Sequence, residues 1–275
     1  MTAIVCLLIG NETWHLQEKS IRSIRFHHPD QSIIVYYSLS EDRDTILDAL
    51  REFRVEVVDI GRQGLLGSIS AGEYSNYNSL EFNIKTSFKW LAILGAISTR
   101  FVDIIFIDAD IVLLSPLPLD AFKDIWEHYD ILIQDEGNNI FPKHACTGFM
   151  GVKCCESNVK LLQELHKEQC SAIVSGESMH DQTIFSLLIG RNIECYKRIY
   201  FLPQAMFPVG YLWPLYSGLK VSNVDTIRPG RPIIYHANWA VGIESKAHLM
   251  DAMLADKFAS SSDSGEDELV IVQGA

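Results

Sequence analysis

Residues 101–119 read FVDIIFIDADIVLLSPLPL. A β-rich apolar run from Phe101 to Ile107 ends in two carboxylates one residue apart, Asp108 and Asp110, and the chain turns apolar again at once. Carboxylates are costly to desolvate without a partner. At the end of a buried strand, the commonest partner that neutralises two of them is a divalent cation. In open α/β sheets, ligands bind beyond the carboxyl ends of the strands. The stretch therefore predicts a metal–diphosphate site at a strand tip. The competing reading of Asp108-Ala109-Asp110 is a turn in which one aspartate caps the helix near Asp120 or a neighbouring backbone.

Working upstream, strands and helices alternate. Ala3–Ile9 reads as a buried strand, and Thr13 to Phe26 has helical periodicity through Trp14, Ile21 and Ile24. Gln31 to Ser38 is a second strand. Ser40 resembles a helix N-cap, with Glu41 and Asp42 in the first turn of a helix running to about Phe53. Val55 to Ile60 is a third strand. A stretch rich in Gly, Ser, Tyr and Asn, Gly61 to Asn78, is long for a connection and reads either as a functional loop or as a surface excursion. Ser79 to Ile97 is helical, carries Lys85 and Lys89 at i, i+4, and feeds the strand that ends at Asp108. This alternation predicts an α/β fold, a mostly parallel sheet with helices on both faces.

Downstream the pattern is less regular. Asp130–Gln134 and Thr147–Val152 read as strands, Glu156–Cys170 as an amphipathic helix and Asp181–Ile189 as the start of another. Residues 199–219 are rich in aromatics and prolines, which suits a pocket wall or an irregular packed loop. Pro232–Tyr235 is a strand, Ser245–Phe258 a helix, and residues 259–275 an acidic tail that reads as disordered. One domain, residues 1–258, is expected.

The bulk composition agrees. With 275 residues, 48% of them hydrophobic, the chain can bury a sizeable core. A net charge of −12 with no Lys/Arg cluster argues against a nucleic-acid partner. An acidic protein that handles an anionic nucleotide needs a metal or a few placed cations. The apolar segment 3–9 has no basic region before it, and no run approaches a membrane span. The six cysteines, at 6, 146, 154, 155, 170 and 195, form no CxxC pair and read as reduced thiols. A cytoplasmic protein is expected.

Three further groups carry chemistry. An apolar strand delivers His236 to its end, with Gly242 and Lys246 following. Glycine permits close backbone approach to a phosphate, and lysine is a point charge suited to its oxygens. Imidazole beside carboxylates favours Mn²⁺ over Mg²⁺ or Ca²⁺. His180-Asp181-Gln182 opens a helix, where Asp181 is either an N-cap or, with Gln182, a contact for a polyhydroxyl ligand. Thr147-Gly148 opens a strand and is uninformative by itself.

In order, these groups resemble the retaining GT-A nucleotide-diphospho-sugar transferases. These include the glycogenin- and galactosyltransferase-like enzymes and the plant and microbial xylosyl-, galactosyl- and arabinosyltransferases. The resemblance spans about residues 3–250. It implies a Rossmann-like sheet and transfer of a sugar from a nucleotide diphosphate, UDP foremost, to a hydroxyl of a glycan or other acceptor. It implies that Asp108 and Asp110 hold Mn²⁺ (or Mg²⁺) on the donor diphosphate, with Ala109 between them and His236 as the third ligand. Gly242 and Lys246 match the phosphate-binding end of the His236 motif. Lys89, and Lys85 one turn before it, match a basic residue that reaches the donor. Thr147-Gly148 looks like the strand start beside the donor sugar and Asp181-Gln182 like the pair beneath it, which the resemblance makes the catalytic pair. Ile9, Gly10 and Asn11 match the nucleobase and ribose contacts. The spacing from His236 to Gly242 and Lys246 is longer than H-x-x-G-x-x-K, which places the chain nearer the xylosyl/arabinosyl-like group. Cys146 stands where relatives often carry asparagine. Two rivals differ in class: a haloacid-dehalogenase-type phosphatase, which also places D-x-D after an apolar strand, and an inert nucleotide-sugar-binding module.

Overall fold

The computed structural model of the chain describes residues 2–39, 43–61, 75–97, 103–137, 143–213 and 232–260. The Ser40 cap with Glu41 and Asp42, most of the Gly61–Asn78 stretch, residues 214–219 and the tail from 261 lie outside them. In chain order the elements are β1 (Thr2–Ile9), α1 (Trp14–His27), β2 (Ser32–Ser38), α2 (Arg43–Glu52), β3 (Glu56–Asp59), α3 (Leu80–Ile97), β4 (Asp103–Ile107), β5 (Ile111–Leu113), α4 (Leu119–Trp126), β6 (Ile131–Asp135), β7 (Ala145–Lys153), α5 (Glu156–Ser175), α6 (Asp181–Arg191), α7 (Ile193–Tyr196), β8 (Ile199–Leu202), β9 (Ile234–His236) and α8 (Ile243–Ser260).

Seven strands form one sheet in the order β3-β2-β1-β4-β7-β6-β8. The pairings β3–β2, β2–β1, β1–β4 and β6–β8 are parallel, whereas β7 runs antiparallel to both β4 and β6. The expected mostly parallel α/β sheet is present. Its centre reads as continuous apolar sequence because both faces are covered. On one face Val5, Ile104 and Phe106 pack with Trp90 of α3 and Leu165 of α5. On the other, Ile4, Leu8 and Ile105 pack with Ile21 and Ile24 of α1 and Phe122 of α4.

Four elements differ from expectation. β7 begins two residues earlier than Thr147, so Thr147 and Gly148 lie inside a strand. β8 and the three-residue β5 are too short to register as periodic sequence. α5 continues past Cys170 to Ser175 and ends where Gly176 turns left-handed at φ +76°.

β5 and β9 form a separate antiparallel ribbon, with Ile111 opposite His236. A small core of Leu16, Val112, Tyr235 and Met250 ties this ribbon to α1 and α8. No helix among the described residues is long and apolar enough to cross a membrane.

Candidate active site

β4 stops at Ile107 because the backbone turns there. The Asp108 N–H donates to the Gly148 carbonyl (2.8 Å), and the Ile111 N–H donates back to Asp108 O (3.2 Å). The chain re-enters a strand at once as β5, which leaves Asp108 and Asp110 at the bend. The Ala237 N–H donates to Asp110 O (2.9 Å) and fixes the end of β9 against that bend. The register therefore delivers His236: its Nε2 lies 3.3 Å from Asp110 Oδ1. One potential ligand atom from each of Asp108, Asp110 and His236 falls within 4.8 Å of the others.

Two residues shape this cluster from behind. A Cβ on Gly148 would lie 2.3 Å from His236 Cε1 and 3.0 Å from Asp108 Oδ2. Glycine is thus what leaves room between imidazole and carboxylate. Gln134 of β6 is fully buried, and its Nε2 donates to the carbonyls of Phe207 (3.2 Å) and Pro208 (2.8 Å). Its Oε1 therefore faces His236 Nδ1, at 3.0 Å. That contact assigns the ring proton to Nδ1 and turns the Nε2 lone pair toward the aspartates. The Cys146 thiol is 3.7 Å from the same Nδ1. Burial pushes its pKa well up, so it is a neutral neighbour.

The second group centres on Lys89 of α3. Its buried Nζ meets Asp181 Oδ2 at 2.5 Å, Asp108 Oδ2 at 3.2 Å and Thr147 O at 3.2 Å. The Thr147 hydroxyl also donates to Asp181 Oδ2 (2.7 Å). Burial by itself would lower the Lys89 pKa, but the charges of Asp108 and Asp181 carry it above the ordinary value. Burial would likewise raise Asp181, and Lys89 and His180 instead hold it well below the carboxylate range. The N-cap of α6 is His180, not Asp181, and Asp181 turns inward to Lys89. The N-cap reading of Asp181 is corrected accordingly. Gln182, the next residue, is half-buried in the same turn.

The third group is Lys246 on α8, 2.5 Å from Asp110 Oδ2. Burial pushes the Asp110 pKa up, but the Lys246 ammonium outweighs it and leaves the carboxyl far below its usual value. For Asp108, loss of hydration raises the pKa; Lys89 opposes this, and Asp110 and Asp181 add to it. Neither aspartate caps a helix, and α4 opens on Pro118. Three carboxylates thus face two ammonium groups and one imidazole whose lone pair points inward. That surplus of hard donors fits a divalent cation.

The remaining expected residues divide. Ala109 forms the bend and packs against the small core under α8. Gly242 sits at φ +85° before α8 with open space where a Cβ would be. Lys246 N–H donates to Gly242 O (3.2 Å), so both lie in one helical turn. Lys85, one turn from Lys89, is instead 3.4 Å from Glu12 at the end of β1. There Ile9 is buried, and Gly10 takes φ +83° while its N–H donates to Ser38 O (3.0 Å). Asn11, next in the chain, is half-buried. Lys85 thus belongs with the Ile9–Gly10–Asn11 corner, not with the carboxylate cluster. Gln134 went unnoticed in the sequence, although a glutamine inside the apolar run ILIQD is the kind of buried polar residue that signals a built contact.

The family of nucleotide-diphospho-sugar transferases matches residues 40–250. The chain belongs to that family. Among solved structures, mouse xyloside xylosyltransferase 1 in its apo form superposes with a TM-score of 0.54 at 13% identity, over 86% of this chain and 98% of that one. The galactosyltransferase LgtC in complex with donor and acceptor sugar analogs gives 0.56 at 13% identity, over 92% and 95%. The glycosyltransferase GlyE of Streptococcus pneumoniae TIGR4, apo form, gives 0.55 at 14% identity, over 95% and 64%. At these identities the likeness shows a shared GT-A fold. A search of curated proteins finds no match. This nucleotide-diphospho-sugar transferase is thus a glycosyltransferase by family, and the phosphatase reading is set aside.

Proposed function

We propose that this transferase moves a hexosyl or pentosyl group from a UDP-sugar to a hydroxyl of a glycan or other acceptor, with retention of anomeric configuration. The observation that carries the reading is the convergence of His236 with Asp108 and Asp110, across the β5–β9 ribbon, onto one potential cation site. Those three residues would hold Mn²⁺ or Mg²⁺, which when bound neutralises charge on the donor diphosphate.

Lys246 and the Gly242 turn bind phosphate oxygens, and Lys246 stabilises the charge that develops on the departing diphosphate. Ile9, Gly10 and Asn11 receive the base and ribose. Thr147, Gly148, Asp181 and Gln182 line the floor beneath the donor sugar. Lys89 orients Asp181 toward that floor.

Asp181 is a poor nucleophile, because Lys89 and Thr147 both occupy its Oδ2 and its charge is strongly stabilised. Gln182, an amide, is weaker still. The acceptor hydroxyl therefore attacks from the leaving-group face. The sugar C1–O(phosphate) bond breaks, a C1–O(acceptor) bond forms, and the acceptor proton passes to the departing phosphate.

Thermal-shift measurement with Mn²⁺ and UDP should raise the melting temperature of the wild type. Asp110→Ala should abolish that shift together with metal-dependent transfer. Full activity in Asp110→Ala would end the metal reading, and an inverted product anomer by NMR would end retention.

A further inference from the structure

We propose that Tyr211 and Trp239 form a stacking platform for the acceptor, and that the acceptor is therefore a saccharide ring. The inference rests on the transferase reading above and specifies the other half of that site.

The two rings are exposed, Trp239 by 60% and Tyr211 by 45%. They also touch, with centroids 5.0 Å apart and planes at 80°. A lone exposed aromatic needs no explanation, but two in mutual contact make a shaped apolar patch. Polar contacts fix this one. The Tyr211 hydroxyl donates to the Glu136 carbonyl at the end of β6. The Gly210 N–H donates to Asn238 Oδ1 (2.9 Å).

Gly210 connects the patch to the reaction centre. A Cβ there would lie 2.6 Å from the His236 carbonyl oxygen and 3.6 Å from Trp239 Cδ1. The turn carrying Tyr211 thus closes directly on the backbone of the proposed metal ligand, with the indole beside it. Asn238, between His236 and Trp239, also reaches the Cys146 sulfur at 3.8 Å. The rings are held in register with His236 by three neighbouring segments: Glu136 just past β6, Cys146 in β7 and Asn238 just past β9.

The chemistry of the patch selects its ligand. One face of a pyranose presents C–H groups of slight positive charge, which suit the negative face of an aromatic ring, while its hydroxyls remain at the edge in water. Rigid rings pinned before binding lose little entropy when a ligand arrives. Two rings at a steep angle offer a ledge the size of one sugar unit, not a groove for an extended peptide.

The test uses the full chain with Mn²⁺ and UDP, and methyl β-glucoside, methyl β-galactoside, methyl β-xyloside, cellobiose and lactose as probes. Ligand-observed saturation-transfer NMR reads saccharide affinity, and thermal shift with Mn²⁺–UDP reads the donor side independently. The expected result is binding of at least one probe by the wild type. Trp239→Ala and Tyr211→Leu should each weaken it by about tenfold, and Trp239→Phe should stay within about threefold. The Mn²⁺–UDP shift should be the same in all four proteins. Equal saccharide affinity in Trp239→Ala and wild type would overturn the platform, as would a wild type that binds none of the probes. Absence of the Mn²⁺–UDP shift, with saccharide binding still lost in Trp239→Ala, would instead overturn the donor reading and leave the platform standing.

Discussion

Gln134 has more influence on the site than its chemistry suggests. Its amide donates to two carbonyls of the segment at Phe207 and Pro208, and so leaves only its oxygen for His236. Replacing it by leucine would keep the volume but free the imidazole to change tautomer. Loss of such a supporting contact typically lowers metal affinity by about 10–100-fold. Gln134→Leu should therefore need that much more Mn²⁺ for half-maximal activity, as read in a metal titration, with a near-native circular dichroism spectrum. Lys89 presents the opposite case, since removing it damages the fold as well as the site. It is buried between Asp108 and Asp181. Removing one partner of a buried ion pair costs about 3–5 kcal/mol, because the surviving charge is left without compensation. Lys89→Met should lose about that much in urea unfolding. Lys89→Met combined with Asp181→Leu should recover part of the loss, since the second change removes an orphaned carboxylate. If the double variant were less stable by the full sum of both single changes, the two residues would not be coupled.

At the scale of elements, the ribbon β5–β9 decides the site, although it is the smallest part of the structure. Its register sets His236 opposite Ile111, immediately after the two aspartates. The ribbon stands apart from the seven-stranded sheet and rests on α8 through Val112, Tyr235 and Met250. Met250 is fully buried. Met250→Ala should cost about 2–5 kcal/mol by leaving a cavity, and the strain falls on the helix that also carries Lys246. A fall in the urea midpoint accompanied by a weaker Mn²⁺–UDP thermal shift would show that α8 holds the ribbon and the phosphate-binding lysine as one unit. This division explains what the sequence disclosed. The strand ending at Asp108 was legible because burial on both faces demands an unbroken apolar run, so the two carboxylates stood out. His236 was legible as the end of the short apolar run before it. The pairing of the two came from the family resemblance alone, because β5 has three residues and carries no period, and register depends on contacts far apart in the chain. For the same reason α6 looked as though Asp181 might cap it. Only the tertiary position of Lys89 shows why that carboxylate turns inward.

Across the whole molecule, each face of the central sheet contains a histidine whose pKa burial lowers. His28, at the end of α1, accepts the Leu117 N–H at Nε2 (2.7 Å), and so ties α1 to the segment between β5 and α4. His166 of α5 donates from Nδ1 to the Ser87 carbonyl of α3 (3.2 Å) on the opposite face. Burial lowers the pKa of both below the ordinary 6.5; for His166 the contact with Ser87 opposes the shift without cancelling it. In the unfolded chain both return to about 6.5 and bind protons sooner than in the fold. Their contribution to stability is therefore complete above that value and is lost as the pH falls from it through the lower folded values. For His28 the loss has a structural cause as well, since a protonated Nε2 can no longer accept the Leu117 amide. The carboxylates Asp110 and Asp181 are shifted downward too, but below the usual carboxylate range, so their loss comes in more acid solution. Melting temperature should thus be flat from pH 8 to about 7, decline first as the histidines charge and fall again once the carboxylates do. His28→Gln keeps an acceptor for Leu117 and removes one titrating group. It should shallow the first decline and leave the second unchanged in a pH series of calorimetric scans. An identical first decline in His28→Gln would mean that this histidine does not link the two halves of the fold to pH.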